Sequence, residues 1–289
     1  MNYYDLNGIL REKSGSQDRF FTFIYGHALT RALIRPFLRP WFSKLGGKFM
    51  DSRLSARLIP RFIKKKGIDM SDFEEREFAS FNDFFTRRIK ESARPLPEGE
   101  KLLFSPCDAY LTVVPLEEGL RFMIKHTPYT LPDFLRDEDL SSEFSGGTVL
   151  LFRLAVQHYH RYHFIDDGEI LREYRIPGFF HTVQPAANDA VPIYKENFRA
   201  VSLLRTEHFG EVIQAEVGAL LVGRIVNREL KAFRRAEEKG LFEFGGSTIV
   251  MVLKKDAASI LPEFLQASAE KTEREVHFGT VIGSAKNLN

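Results

Sequence analysis

The 289-residue chain predicts an α+β protein. A helical region covers residues 1–92, and a β-rich domain, sandwich or barrel-like, covers residues 93–289. Three observations carry this. Leu33/Ile34, Phe37/Leu38, Trp41/Phe42 and Leu45 recur every four residues, an apolar stripe at helical period. Residues 93–99, ARPLPEG, have two prolines and a glycine and no periodicity, so they read as a linker. Beyond them, short alternating or β-branched runs are separated by Gly, Pro and Asp-Gly turns.

Each element follows from local pattern. Arg31, Arg35 and Arg39 run beside the first stripe, and Pro36 and Pro40 break it into short helices. A second stripe, Leu54, Leu58/Ile59 and Phe62/Ile63, ends in Lys64–Lys66 and Gly67, cations and a glycine that suit a helix C-terminus. Two capping boxes follow, Ser71…Glu74 and Ser80…Asp83, the second opening a helix through FNDFFTRRIKES. Strands are predicted at 109–114, 148–154, 199–204, 211–217, 219–226 and 248–253.

Apolar residues at 44% and charged residues at 28% describe a folded chain and exclude a disordered, collagenous or multi-span membrane protein. The net charge of +2 conceals an asymmetry. Residues 31–66 hold 11 Lys/Arg against one acid, Asp51, so a segment of net +10 is joined to a body of net −8. One reading is a solvated helical face. The sharper reading is an interfacial anchor, since cations alternate with Trp, Phe and Leu as in helices that lie in anionic headgroups. Nucleic acid ranks below both, because no nucleic-acid-binding motif accompanies the charge. The single cysteine, Cys107, excludes an internal disulfide. The first residues, MNYYDLNGILREKSG, do not read as a secretory signal, and no run approaches the ~18 apolar residues of a spanning helix.

Three segments are candidates for chemistry: Ser105-Pro106-Cys107-Asp108, Tyr159-His160-Arg161-Tyr162-His163, and Glu238-Lys239-Gly240 followed by Phe244-Gly245-Gly246-Ser247-Thr248. Singly each has an ordinary explanation, as turn formers, core histidines or a glycine turn. His160 and His163 are three apart, but no further cluster completes a ligand set, so no metal is expected. Cys107 has no neighbour in sequence that would make it a thiolate.

Together these segments resemble the phosphatidylserine decarboxylases, pyruvoyl enzymes made as self-cleaving proenzymes. The matching blocks are FNDFFTRRIKESARPL, SPCD, FRLAVQHYHRYHFIDDGEI, HTVQPAA, ENFRAV and EKG followed by FGGST, in order from about residue 80 to 253. The resemblance implies that Ser247 attacks the carbonyl of Gly246, with Asp108, His163 and Ser247 as an Asp-His-Ser arrangement. Elimination of the ester then frees chain 1–246 and leaves dehydroalanine on chain 247–289, which hydrolyses with loss of ammonia to a pyruvoyl group from Ser247 as the cofactor. Condensation with the amine of phosphatidylserine gives an electron sink for loss of CO2. His163 would return the proton, and His160 would contact the headgroup. The product is phosphatidylethanolamine. Ala109 stands where the family has glycine after SPxD.

The expected partners are phosphatidylserine, the anionic membrane surface and the two cleaved chains held to each other, with a homodimer also admitted. The expected location is peripheral, on the cytoplasmic face of the cell membrane. Three rivals stay open: a decarboxylase of another serine lipid or amino acid, an uncleaved lipid-binding relative, and a serine hydrolase using the same three residues.

Overall fold

The computed structural model describes residues 2–12, 16–117, 119–124, 126–183, 185–219, 224–245 and 247–286. It is a mixed α+β fold around one ten-stranded sheet. In order across the sheet the strands are Ala232–Phe233, Gly168–Ile176, Arg199–Thr206, Gly210–Val217, Ser247–Leu253, Thr148–Leu154, Ala109–Pro115, Glu273–Val276, Asn2–Tyr4 and Leu10–Glu12. All pairings are antiparallel except Asn2–Tyr4 on Glu273–Val276. The central strands bury both faces, so Ser247–Leu253 is wholly buried and, after Ser247 and Thr248, reads as a continuous apolar run, IVMVL. A three-stranded sheet of Ile225–Asn227, Glu238–Phe242 and Arg161–His163 carries the histidine motif, and another joins Ala258–Ile260, Val281–Ala285 and Leu102–Phe104.

The strands expected at 109–114, 148–154, 199–204, 211–217 and 248–253 are present within one or two residues. The strand expected over 219–226 is formed only as Ile225–Asn227, and residues 220–223 lie outside the described residues.

The helical reading of residues 1–92 needs correction. Asn2–Tyr4 and Leu10–Glu12 are strands, because Tyr3 and Tyr4 find an open sheet edge at Glu273 and Arg274, a partner 270 residues away in the chain that no local pattern reveals. The Ser71…Glu74 box opens no helix; instead Asp69 Oδ1 accepts the Ser71 amide at 2.9 Å. Ser80 does cap as expected, accepting the Asp83 amide, but its helix is only Phe81–Phe85. Its apolar residues form a knot. Phe81, Phe84 and Phe85 are buried together with Ile59, each worth about 1.5–3 kcal/mol. Between residues 28 and 66 the chain forms short pieces, the helices Ala28–Ile34, Pro40–Met50 and Ile59–Lys66 linked by 3₁₀ turns. Gly67 ends the last one in the left-handed conformation (φ 62°). The apolar stripe divides: Leu38 is buried, whereas Leu29, Leu33, Phe37, Leu45 and Phe49 are exposed. No helix among the described residues is long and apolar enough to cross a membrane.

Candidate active site

Ser247 is the first residue of the central strand, with Leu154 opposite it on one side. The loop leading to it is held from outside the strand. Asn82 Oδ1 accepts the Phe244 amide at 2.9 Å, and the Phe244 ring lies edge-on to Phe81 and Phe85 at 5.0 and 5.2 Å. Gly245 has φ +141°, a conformation that L side chains rarely adopt. Gly246, the expected position of the break, lies outside the described residues.

The Ser247 hydroxyl is fully buried and meets His160 Nδ1 at 3.5 Å. His160 is placed by its other nitrogen, for Nε2 lies 3.1 Å from the Ala155 carbonyl. A carbonyl only accepts, so Nε2 carries the proton and Nδ1 presents its lone pair to the serine. The same residue is held at its other backbone group, since the Ala155 amide donates to His158 Nδ1 at 3.2 Å. The His160 ring stacks on Phe85 at 4.0 Å. Burial drives its pKa well below the ordinary value, and His158 and the Arg87 guanidinium push in the same direction. His160 is therefore neutral and a proton acceptor at physiological pH.

Arg87, from the FFTRR motif, is itself buried. It donates to the carbonyls of Phe84 and Gln157 and lies over the Phe73 ring at 4.1 Å, so it braces the loop that carries the histidines.

His163 has a different setting. Its Nδ1 donates to the Pro106 carbonyl at 3.2 Å, which leaves Nε2 as the lone pair. The ring stacks on Phe278 at 3.9 Å, and the Tyr159 ring lies near-parallel to it at 6.1 Å. Burial lowers its pKa to about 4, against upward pulls from the Pro106 bond, Glu238 and Asp108. Asp108 Oδ1 accepts the Phe278 amide at 2.8 Å, and Oδ2 lies 3.6 Å from the Arg94 guanidinium. Among the described residues neither Asp108 nor Ser247 hydrogen-bonds to His163. Among the described residues, no hydrogen-bonded relay joins the three residues expected to act in series, and the histidine in contact with Ser247 is His160.

Ala109 begins a strand opposite Val276 with φ outside the left-handed region, so alanine fits where the family has glycine. Burial raises the Cys107 thiol well above its ordinary pKa, so it is not a thiolate.

The Glu238-Lys239-Gly240 motif is a structural centre. Lys239 Nζ donates to both oxygens of Glu216 at 2.9 Å, with both side chains inaccessible. Gln214 and Asn227 also donate to Glu216, and Tyr162 donates to Asn227. A Cβ on Gly240 would lie 2.4 Å from the Val226 carbonyl and 2.8 Å from the Tyr162 hydroxyl, which is why this position is glycine. Glu238 bridges Arg161 at 2.7 Å and Arg228 at 3.1 Å. Burial would raise its pKa, but the Arg161 hydrogen bond and the two positive charges hold it below the ordinary value. Sequence reasoning missed Arg87, Glu216 and Phe278. Arg87 lay in a quoted motif but had no partner visible locally, and the other two lie in no motif.

A central antiparallel strand that begins with a buried serine, facing a neutral histidine from a YHRYH segment, defines a protein with a serine hydroxyl set against a proton acceptor. Residues 81–284 match the phosphatidylserine decarboxylase family model. The chain is 41% identical over 284 residues to "Phosphatidylserine decarboxylase proenzyme 2" of Clostridium acetobutylicum, covering 98% of this chain and 97% of the relative. It is 38% identical over 254 residues to a phosphatidylserine decarboxylase proenzyme of Ruminiclostridium cellulolyticum (85% and 84% covered), and 34% over 266 residues to one of Fusobacterium nucleatum (90% and 87% covered). The chain belongs to the phosphatidylserine decarboxylase family.

Proposed function

We propose that this chain decarboxylates phosphatidylserine to phosphatidylethanolamine, using a pyruvoyl group formed from its own Ser247. The observation that carries the reading is the buried Ser247 hydroxyl, whose described partner is a neutral imidazole nitrogen at the start of the central strand. The residues present fit such a group: Ser247 supplies its atoms, His160 flanks it, and Phe85 and the Phe244 loop close the surroundings. The pyruvoyl group supplies an electron sink for the carbon that loses CO2.

In the cleavage, Oγ of Ser247 attacks the Gly246 carbonyl and gives its proton to a base, and the acyl group moves from nitrogen to oxygen. Two histidines divide the work. His163, with its Nε2 lone pair uncommitted and Asp108 nearby, is the proposed base for cleavage. His160, against the serine side chain, contacts the substrate at the same carbon. The 3.5 Å contact favours a second reading in which His160 is itself the cleavage base. Denaturing gels separate the two. His160→Ala gives two chains under the first reading and one under the second; His163→Ala gives the reverse.

The N-terminal helices are proposed to rest on the cytoplasmic face of the membrane. Leu29, Leu33, Phe37, Leu45, Phe49, Leu54 and Leu58 are exposed on elements that carry the +10 segment, an apolar and cationic combination suited to anionic headgroups. Replacing Arg31, Arg35, Arg39, Lys64, Lys65 and Lys66 by Gln should weaken co-sedimentation with phosphatidylserine vesicles, most clearly at low salt, while self-cleavage continues. Unchanged binding would remove this reading without touching the decarboxylase reading.

A further inference from the structure

We propose that Phe278, thirty-one residues beyond the cleaved bond, is a positioning residue for His163 and Asp108, so that the small chain supplies part of the cleavage site as well as Ser247. This rests on the reading that His163 and Asp108 act in the cleavage.

The turn from His277 to Thr280 is fastened to the Ser105–Asp108 segment by three hydrogen bonds. The Ser105 amide donates to the Thr280 carbonyl at 2.8 Å, the Gly279 amide to the Ser105 carbonyl at 3.1 Å, and the Phe278 amide to Asp108 Oδ1 at 2.8 Å. The turn is itself rigid: the Thr280 amide donates to the His277 carbonyl, the His277 amide to Thr280 Oγ1, and Gly279 takes φ +88°. One residue therefore does two things. Its amide orients the Asp108 carboxylate, and its ring lies over His163 at 3.9 Å and 22°. Phe104 backs the Phe278 ring edge-on at 6.0 Å.

The ring is half-buried while His163 beneath it is buried, so Phe278 is the cover between that imidazole and water. The charged groups facing His163 are Asp108, held by Arg94, together with Glu238 and Arg161 on the paired strands, and the Tyr159 ring lies near-parallel to the imidazole at 6.1 Å. Two of the charges near His163 are acidic. Burial under Phe278 keeps the imidazole neutral in spite of them. With the cover removed, His163 would regain hydration and titrate near the ordinary value of about 6.5.

The test uses the full-length precursor made by cell-free translation and followed on denaturing gels from pH 5.5 to 8. The wild-type rate should change little over this range. Phe278→Ala should cleave about tenfold more slowly at pH 5.5 than at pH 8, the fraction of a base of ordinary pKa left neutral one unit below it. Phe278→Tyr, which keeps the ring, should restore the flat profile. A thermal melt of each variant in the Ser247→Ala background reports whether the fold is intact. A flat profile for Phe278→Ala, or a Phe278→Tyr profile identical to that of alanine, overturns the proposal. Cleavage that persists in His163→Ala would instead overturn the reading on which it rests, that His163 acts in the cleavage.

Discussion

Removing the Lys239 ammonium is the sharpest test of how the EKG motif works. In Lys239→Met the Glu216 carboxylate loses two 2.9 Å hydrogen bonds and its counter-charge, while staying inaccessible to water. Gln214 and Asn227 still donate to it, but neither carries charge. Leaving one partner of a buried pair uncompensated costs about 3–5 kcal/mol. For a chain of this size that corresponds to a drop in melting temperature on the order of 10 °C. Melts in the Ser247→Ala background, where one uncleaved chain unfolds in every case, measure this loss. Glu216→Gln combined with Lys239→Met should recover most of the loss, because no charge remains buried. A single variant within about 1 kcal/mol of the parent, or a double variant no better than the single, would refute the ion-pair reasoning.

Two further outcomes follow. Gly240→Ala should destabilise by about 1–3 kcal/mol and slow processing, because its Cβ would push against the Val226 carbonyl and displace the Tyr162 hydroxyl; circular dichroism melts and gels read both effects. Chains 1–246 and 247–289 should stay together in native gel filtration and part only in denaturant. Ser247–Leu253 is hydrogen-bonded on both sides, to Thr148–Leu154 and Gly210–Val217, and the buried pair of Arg153 and Glu273 also crosses the break; separation in native buffer would contradict this.

The strands that build the sheet were legible because their apolar runs are long and bounded by turns. The site motifs were legible because YHRYH, SPCD and FGGST are contiguous in sequence. What stayed hidden depends on residues far apart. The strand Asn2–Tyr4 exists only because Glu273–Val276 leaves an edge for it. The tautomer of His160 is set by the Ala155 carbonyl, and that of His163 by Pro106. Phe278 belongs to no motif, and its role appears only when the turn is folded back on Asp108. The +10 segment was plain in the composition, but the division of its stripe into buried Leu38 and exposed Leu33 and Phe37 needed the packing.

The measurement closest to the central claim is the intact mass of the purified protein, taken beside its activity on phosphatidylserine. The account predicts two polypeptides, 1–246 and 247–289, the smaller lacking a free amino terminus and bearing a carbonyl in place of Ser247. It also predicts phosphatidylethanolamine from phosphatidylserine, and loss of both results in Ser247→Ala. A single uncleaved chain of 289 residues that still decarboxylates phosphatidylserine would contradict it.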